Sequence, residues 1–303
     1  MSHPLRLGLM VRPQGLAADE LLWVFEMADE AGFDHVWAFD HLVSIPDPTL
    51  PVFDSWTVLA AVARVTRRAR IGLQVTGNLY RHPSMLAKQV VTVDHLSGGR
   101  VEMGIGAGWN EEEFRTHGMP FSSTRESIER LDEACSVLKA LWTQDRASFD
   151  GQYYQLTEAI AEPKPVQQPH PPIWIGGSGP KRTLRVVARQ ADVWSSNAPS
   201  FEADVELMGI LDEHCLAVGR DPATVRRNVT IRWADRRTPA GIQYPLDDPV
   251  GDIDRTCRAV DRYHAAGFTE IILMLNINTG GDAVLRMAEL IATEVLPRLR
   301  GKG

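Results

Sequence analysis

The chain has 303 residues, a formal charge of −7, 44% hydrophobic and 23% charged residues. The length suits one α/β barrel with modest insertions, and the absence of charge runs or low-complexity tracts excludes a disordered chain. The net negative charge gives no general attraction for phosphate backbones or anionic lipid, so neither nucleic acid nor membrane is an expected partner.

Short apolar runs rich in branched residues alternate along the chain with longer stretches of helical periodicity, the pattern of a parallel sheet wrapped by helices. Residues 5–11 read as the first strand and 18–31 as an amphipathic helix closed by Gly32. Residues 34–39 make the second strand, and a helix capped by Asp54 runs to 65. The third strand is 70–75, followed by a helix over 84–96 and the turn Ser97-Gly98-Gly99. The fourth strand is 100–105, and a long helix over 125–142 follows. Residues 143–170 break the rhythm with Phe149-Asp150-Gly151-Gln152-Tyr153-Tyr154, which predicts a hairpin, and with a proline-rich lead-in; about 143–171 is therefore an insertion. The beat resumes with a strand at 172–175, a helix at 181–190 and a strand at 191–195. A helix at 201–218 then closes at Gly219, before a strand at 228–233 and a helix at 253–266 that closes at Gly267. The last pair is the strand 270–275 and the helix 282–296. Eight strand–helix pairs without a dividing linker predict one (β/α)8 TIM barrel over residues 1–303.

In such barrels reactive groups gather where strands end. After the second strand stand Asp40 and His41: either a proton-transfer site, with His41 as acid/base and Asp40 orienting it or touching a cofactor, or a loop cap beside a surface histidine. After the third come Gln74, Val75, Thr76 and Asn78, where small and amide side chains would let a flat ring approach the backbone; an ordinary loop before Pro83 is the plain alternative. After the fourth, Gly106, Ala107, Gly108, Trp109, Asn110 and Glu111 only superficially resemble a dinucleotide fingerprint, because no helix follows at once. Those glycines make room for a ring, with Asn110 and Glu111 as polar contacts, or they answer crowding at the barrel top. After the fifth, Gly176-Gly177-Ser178-Gly179-Pro180-Lys181-Arg182 places two cations in the first turn of a helix, which suits a bound phosphate, a plain turn being the alternative. Histidine spacing gives no metal site. The three cysteines, Cys135, Cys215 and Cys257, lie far apart in helical stretches and read as reduced thiols. The first residues lack a signal peptide's apolar segment, so the cytoplasm is the expected compartment.

Taken together, Trp37 to His41, Val75-Thr76-Gly77-Asn78, Tyr80-Arg81-His82-Pro83, Ser97-Gly98-Gly99-Arg100, Gly104 to Trp109, Pro163-Lys164-Pro165-Val166 and Ile175 to Thr183 with Ala191-Asp192 resemble the luciferase-like monooxygenase superfamily, in particular its F420-dependent oxidoreductase branch. The likeness runs from the first strand to the eighth. It implies a bacterial-luciferase-type barrel with insertions at the C-terminal mouth, a homodimer, and a deazaflavin ring of coenzyme F420 on the ends of strands two to four, with FMN as the alternative cofactor. It also implies that Asp40 and His41 flank the ring, that Gly176, Gly177, Ser178 and the following helix start meet the phosphate tail, and that Gln74-Val75 is a non-prolyl cis peptide. Relatives that oxidise sugar phosphates carry a catalytic glutamate where this chain has Trp109, with Glu111 the nearby substitute; the resemblance therefore points away from sugar phosphates. The expected reaction is hydride transfer between the deazaflavin and a small organic substrate. An FMN-dependent monooxygenase and a non-catalytic flavin-binding protein are the competing readings.

Overall fold

The computed structural model describes residues 3–233, 252–275 and 281–301. Eight parallel staves close on themselves: β1 (Arg6–Met10), β2 (His35–Ala38), β3 (Arg70–Leu73) with its short continuation β4 (Thr76–Gly77), β5 (Val101–Gly106), β8 (Ile173–Gly176), β9 (Val193–Ser196), β10 (Arg226–Trp233) and β11 (Glu270–Leu275). Closure comes from β3 pairing with β5 on one side while β1 pairs with β11 on the other, so no edge is left open. Every residue of β2, β5 and β11 is buried, as expected of strands covered on both faces.

The helices begin and end where local chemistry dictates. α1 (Ala18–Ala31) stops at Gly32, whose φ of 100° a side chain would resist. In α2 (Ser55–Val65) the Asp54 carboxylate accepts the Thr57 N–H; α3 (Pro83–Ser97) opens with proline at its first position. α5 (Thr124–Thr143), capped by Ser123, leads into the antiparallel hairpin β6 (Ala147–Asp150) and β7 (Gln155–Ala159), as the turn sequence predicts. The hairpin leans on α5, where Glu133 accepts the backbone N–H groups of Gln152 and Tyr153, and its Tyr154 ring stands edge-on to His82 at 5.4 Å. α6 (Thr183–Gln190), α7 (Phe201–Ala217), α8 (Ile253–Ala265) and α9 (Gly281–Leu290) complete the ring. From α9 a π-helical turn (Ile291–Val295) continues into α10 (Leu296–Arg300).

Several features differ from the sequence expectations: α6 starts at Thr183, so Lys181 and Arg182 stand just ahead of the helix rather than in its first turn, and β9 starts at Val193 rather than at 191. The third strand ends at Leu73, and Gln74-Val75 is a cis peptide, as the resemblance implies. A short helix, α4 (Glu111–Thr116), fills what reads as loop; Asn110 before three glutamates is its start signal. β10 begins two residues early, at Arg226.

Inside the barrel Met10, Trp37, Phe39, Trp174, Val193, Ile272 and Met274 pack together, with the Trp37 and Trp174 rings 4.5 Å apart. Below them lies a charged floor built from strand starts. Glu102 and Glu270, each with a side chain 1% exposed, bridge Arg6, Arg70 and Arg226. Arg6 is 3.3 Å from Glu102 and 3.1 Å from Glu270; Trp174 donates to Glu102 at 2.5 Å, and His35 lies 3.1 Å from Glu270. Gly8 is glycine because a Cβ there would sit 2.1 Å from the His35 ring. Cys135, Cys215 and Cys257 are buried free thiols, and burial pushes the Cys135 thiol up to about 12. Among the described residues no helix is long and apolar enough to cross a membrane, and no group of three or more His, Cys, Asp or Glu is placed to hold a metal.

Candidate active site

Because all eight staves are parallel, every loop that follows a strand opens at the same end. The register ties the relevant ends together: Ala38 pairs with Leu73, Gly77 with Gly106, Ile105 with Ile175, and Gly176 with Ser195. Asp40, His41, residues 74–78, residues 106–110 and the glycine turn 176–179 therefore share one mouth.

Asp40 is 5% exposed and is held from two sides. Arg81 grips it with both terminal nitrogens, one at 3.1 Å, and the Gly77 N–H donates to it at 3.2 Å. The carboxylate thus ties the end of β2 to the β4 turn, and it makes no hydrogen bond to His41. The residue that holds His41 is Glu113, on α4. His41 Nδ1 lies 2.9 Å from Glu113 Oε2, and the Tyr80 hydroxyl donates to the same oxygen at 2.6 Å. Glu113 Oε1 accepts the backbone N–H groups of Leu42 and Val43, the latter at 3.1 Å. The Glu113 side chain is fully buried, whereas that of His41 is 15% exposed. Burial pushes the Glu113 carboxyl up, but the hydrogen bonds from His41 and Tyr80, the His41 charge and the Leu42 N–H outweigh it and hold the group at about 2. Burial, with the adjacent Glu113 carboxylate, pushes the Tyr80 phenol far above its ordinary value, so it stays a donor.

Glu111, singled out from sequence, is exposed at the start of α4; the carboxylate that this helix delivers to the mouth is two residues further on. Asn110 donates to Glu113 Oε2 at 3.3 Å. Ala107 and Gly108 lead from β5 to Trp109, whose indole is 67% exposed and 5.7 Å from the His41 ring. Beside them Gln74 is fixed inside the barrel: its amide donates to Ser195 Oγ and Asn228 Oδ1, both at 2.7 Å, and accepts from Thr230 at 3.2 Å. Val75 lies against three glycines. A Cβ on Gly106 would stand 2.7 Å from a Val75 methyl and one on Gly176 3.1 Å, while one on Gly104 would meet the Leu73 carbonyl oxygen at 2.0 Å. Crowding by the chain's own bulge accounts for these glycines. Thr76 Oγ1 and the Asn78 side-chain amide are buried without a hydrogen-bond partner among the described residues.

At the glycine turn, Ser178 Oγ is 3.2 Å from Ser196 Oγ and accepts the Asn197 N–H at 3.0 Å, and Thr183 folds back against Gly177 and Gly179. Among the described residues no acceptor takes the N–H groups of Ser178, Gly179 or Lys181, and the Lys181 and Arg182 side chains are exposed. Glu113, Tyr80 and Arg81 are the polar residues of this mouth that sequence reasoning missed as functional groups. The Glu-Glu-Glu-Phe run after Asn110 was the one available signal for the first.

A sequence profile for the family described as luciferase-like monooxygenase matches residues 1–271. The chain belongs to that family. This luciferase-like protein is 31% identical to the F420-dependent hydroxymycolic acid dehydrogenase of Mycobacterium tuberculosis over 226 residues, covering 74% of this chain and 61% of that one. It is 29% identical to the FMNH(2)-dependent dimethylsulfone monooxygenase of Pseudomonas putida over 181 residues, covering 58% of this chain and 49% of the other. Its barrel superimposes on a solved F420-dependent secondary alcohol dehydrogenase with a TM-score of 0.82 and 19% identity, over 98% of this chain and 100% of that one.

Proposed function

We propose that this oxidoreductase of the luciferase-like family binds coenzyme F420 at the barrel mouth and transfers a hydride between it and a small organic substrate, with His41 carrying the accompanying proton. One observation carries the reading: the histidine held by Glu113 and the cationic glycine turn open at the same end of the barrel, so a ring at one and its phosphate at the other fit one molecule. The residues fit such a group. Orphaned buried polar atoms at Thr76 and Asn78 suit the ring's polar edge, and the undonated N–H groups of the turn suit an anion. Gln74 to Asn78 and Gly106 to Asn110 would face the ring, while Gly176, Gly177, Ser178, Gly179 and Arg182 would hold the phosphate. When bound, the deazaflavin supplies a two-electron hydride donor or acceptor. The protein supplies position and a proton path: Nε2 of His41 makes no hydrogen bond among the described residues and is left for substrate. The M. tuberculosis relative, which aligns over more of the chain than the FMNH(2)-dependent one, favours F420 over FMN.

The test is an anaerobic titration of oxidised F420 with protein, followed by absorbance or fluorescence and repeated with FMN as competitor. A saturable change at micromolar protein that FMN does not displace is expected. A flat trace rejects the reading, and tight FMN binding with oxygen consumption replaces it by a monooxygenase. In the same assay Arg182→Ala is expected to raise the cofactor Kd by about tenfold, the lower range for one charge-assisted hydrogen bond.

A further inference from the structure

We infer that Glu113 is a positioning residue that fixes His41 as the Nδ1–H tautomer, so that Nε2 is the nitrogen that gains and loses a proton at the mouth. The inference rests on the proposed role of His41 as proton carrier. Glu113 Oε1 faces the backbone N–H groups of Leu42 and Val43, which can only donate. Oε2 receives the Tyr80 hydroxyl at 2.6 Å and the Asn110 amide at 3.3 Å, and stands 2.9 Å from His41 Nδ1. A carboxylate has no proton to give, so that contact requires the hydrogen on Nδ1 in both charge states of the ring. Proton exchange with a substrate is then confined to Nε2. The neighbouring acids have no such role: Glu112 is paired with Arg115 on the surface, and Glu111 is exposed.

Glu113→Gln should reverse the ring tautomer. The amide oxygen must take the place of Oε1, because both backbone donors point there. The NH2 group then faces His41 Nδ1 and donates to it, which moves the ring hydrogen to Nε2. In cofactor-free protein labelled with 15N-histidine, with the His41 signals identified by their absence in His41→Asn, the wild type is expected to show a protonated Nδ1 and an unprotonated Nε2 in the neutral ring. The variant is expected to show the two exchanged. Turnover in the variant should fall about 100-fold while the cofactor Kd stays within about twofold. Tyr80→Phe removes a donor to Oε2 but not the Nδ1 contact, and should keep the wild-type tautomer. A protonated Nε2 in the neutral wild-type ring, or an unchanged tautomer in a folded Glu113→Gln protein, overturns the inference. Should that variant fail to fold, the wild-type and Tyr80→Phe spectra decide it. A flat cofactor titration would remove the proposed function and leave the tautomer assignment standing, so the two failures are told apart.

Discussion

Replacing His41 by alanine is expected to lower turnover by roughly 10²- to 10⁴-fold, the usual contribution of one positioned acid/base group, while the cofactor Kd changes little. The second half of that expectation follows from the layout. The glycine turn 176–179 lies between β8 and α6, several staves away from the end of β2, and among the described residues no hydrogen bond joins the two regions through His41. Stopped-flow reduction or oxidation of the bound cofactor, with its affinity measured separately, checks both halves. A variant that turns over normally would assign the proton to another group. One that loses the cofactor as well would make His41 a binding residue.

The largest effect on stability is expected at the opposite end. Glu102→Ala should destabilise the protein by about 3 kcal/mol, measured by urea unfolding, because Arg6, Arg70 and Arg226 converge on a carboxylate that is 1% exposed; Arg6 and Arg226 keep Glu270, but half-buried Arg70 loses its ion-pair partner. The same floor makes the fold sensitive to acid. Burial pushes the Glu270 carboxyl up, yet His35, 3.1 Å away, and the charges of Arg226 and Arg6 together hold it below its ordinary value. A carboxyl depressed in the folded state contributes stability that is complete above the unfolded value of about 4.3 and is lost as pH falls through the folded one. Glu113, held at about 2, acts in the same direction. Unfolding free energy should therefore be flat with respect to these groups near neutrality and decline on the acid side of about pH 4. A Glu102→Ala protein as stable as the parent would show that the floor contributes little.

The barrel was legible because alternating apolar runs and helical periods report burial locally, residue by residue. Its floor was not. Arg226 and Arg227 read as loop, and only the stave register brings Arg226 beside Glu270, 44 positions away. The candidate site divides in the same manner. Asp40, His41 and the glycine turn could be picked out because they follow strands, and barrel topology alone sends such residues to one end. Glu113 and Tyr80 could not, since their contacts join residues 72 and 33 positions apart. The choice between Glu111 and Glu113 depended on the phase of a six-residue helix, too short to show a periodicity in the sequence.

The packing of Val75 against Gly104, Gly106 and Gly176 has a practical meaning for anyone wishing to alter what this protein accepts. That part of the mouth has no spare volume: a single added carbon on Gly106 would run into the valine. Trp109 offers more room for change: its indole is 67% exposed, and trimming it would remove only the edge contact to the His41 ring, 5.7 Å away.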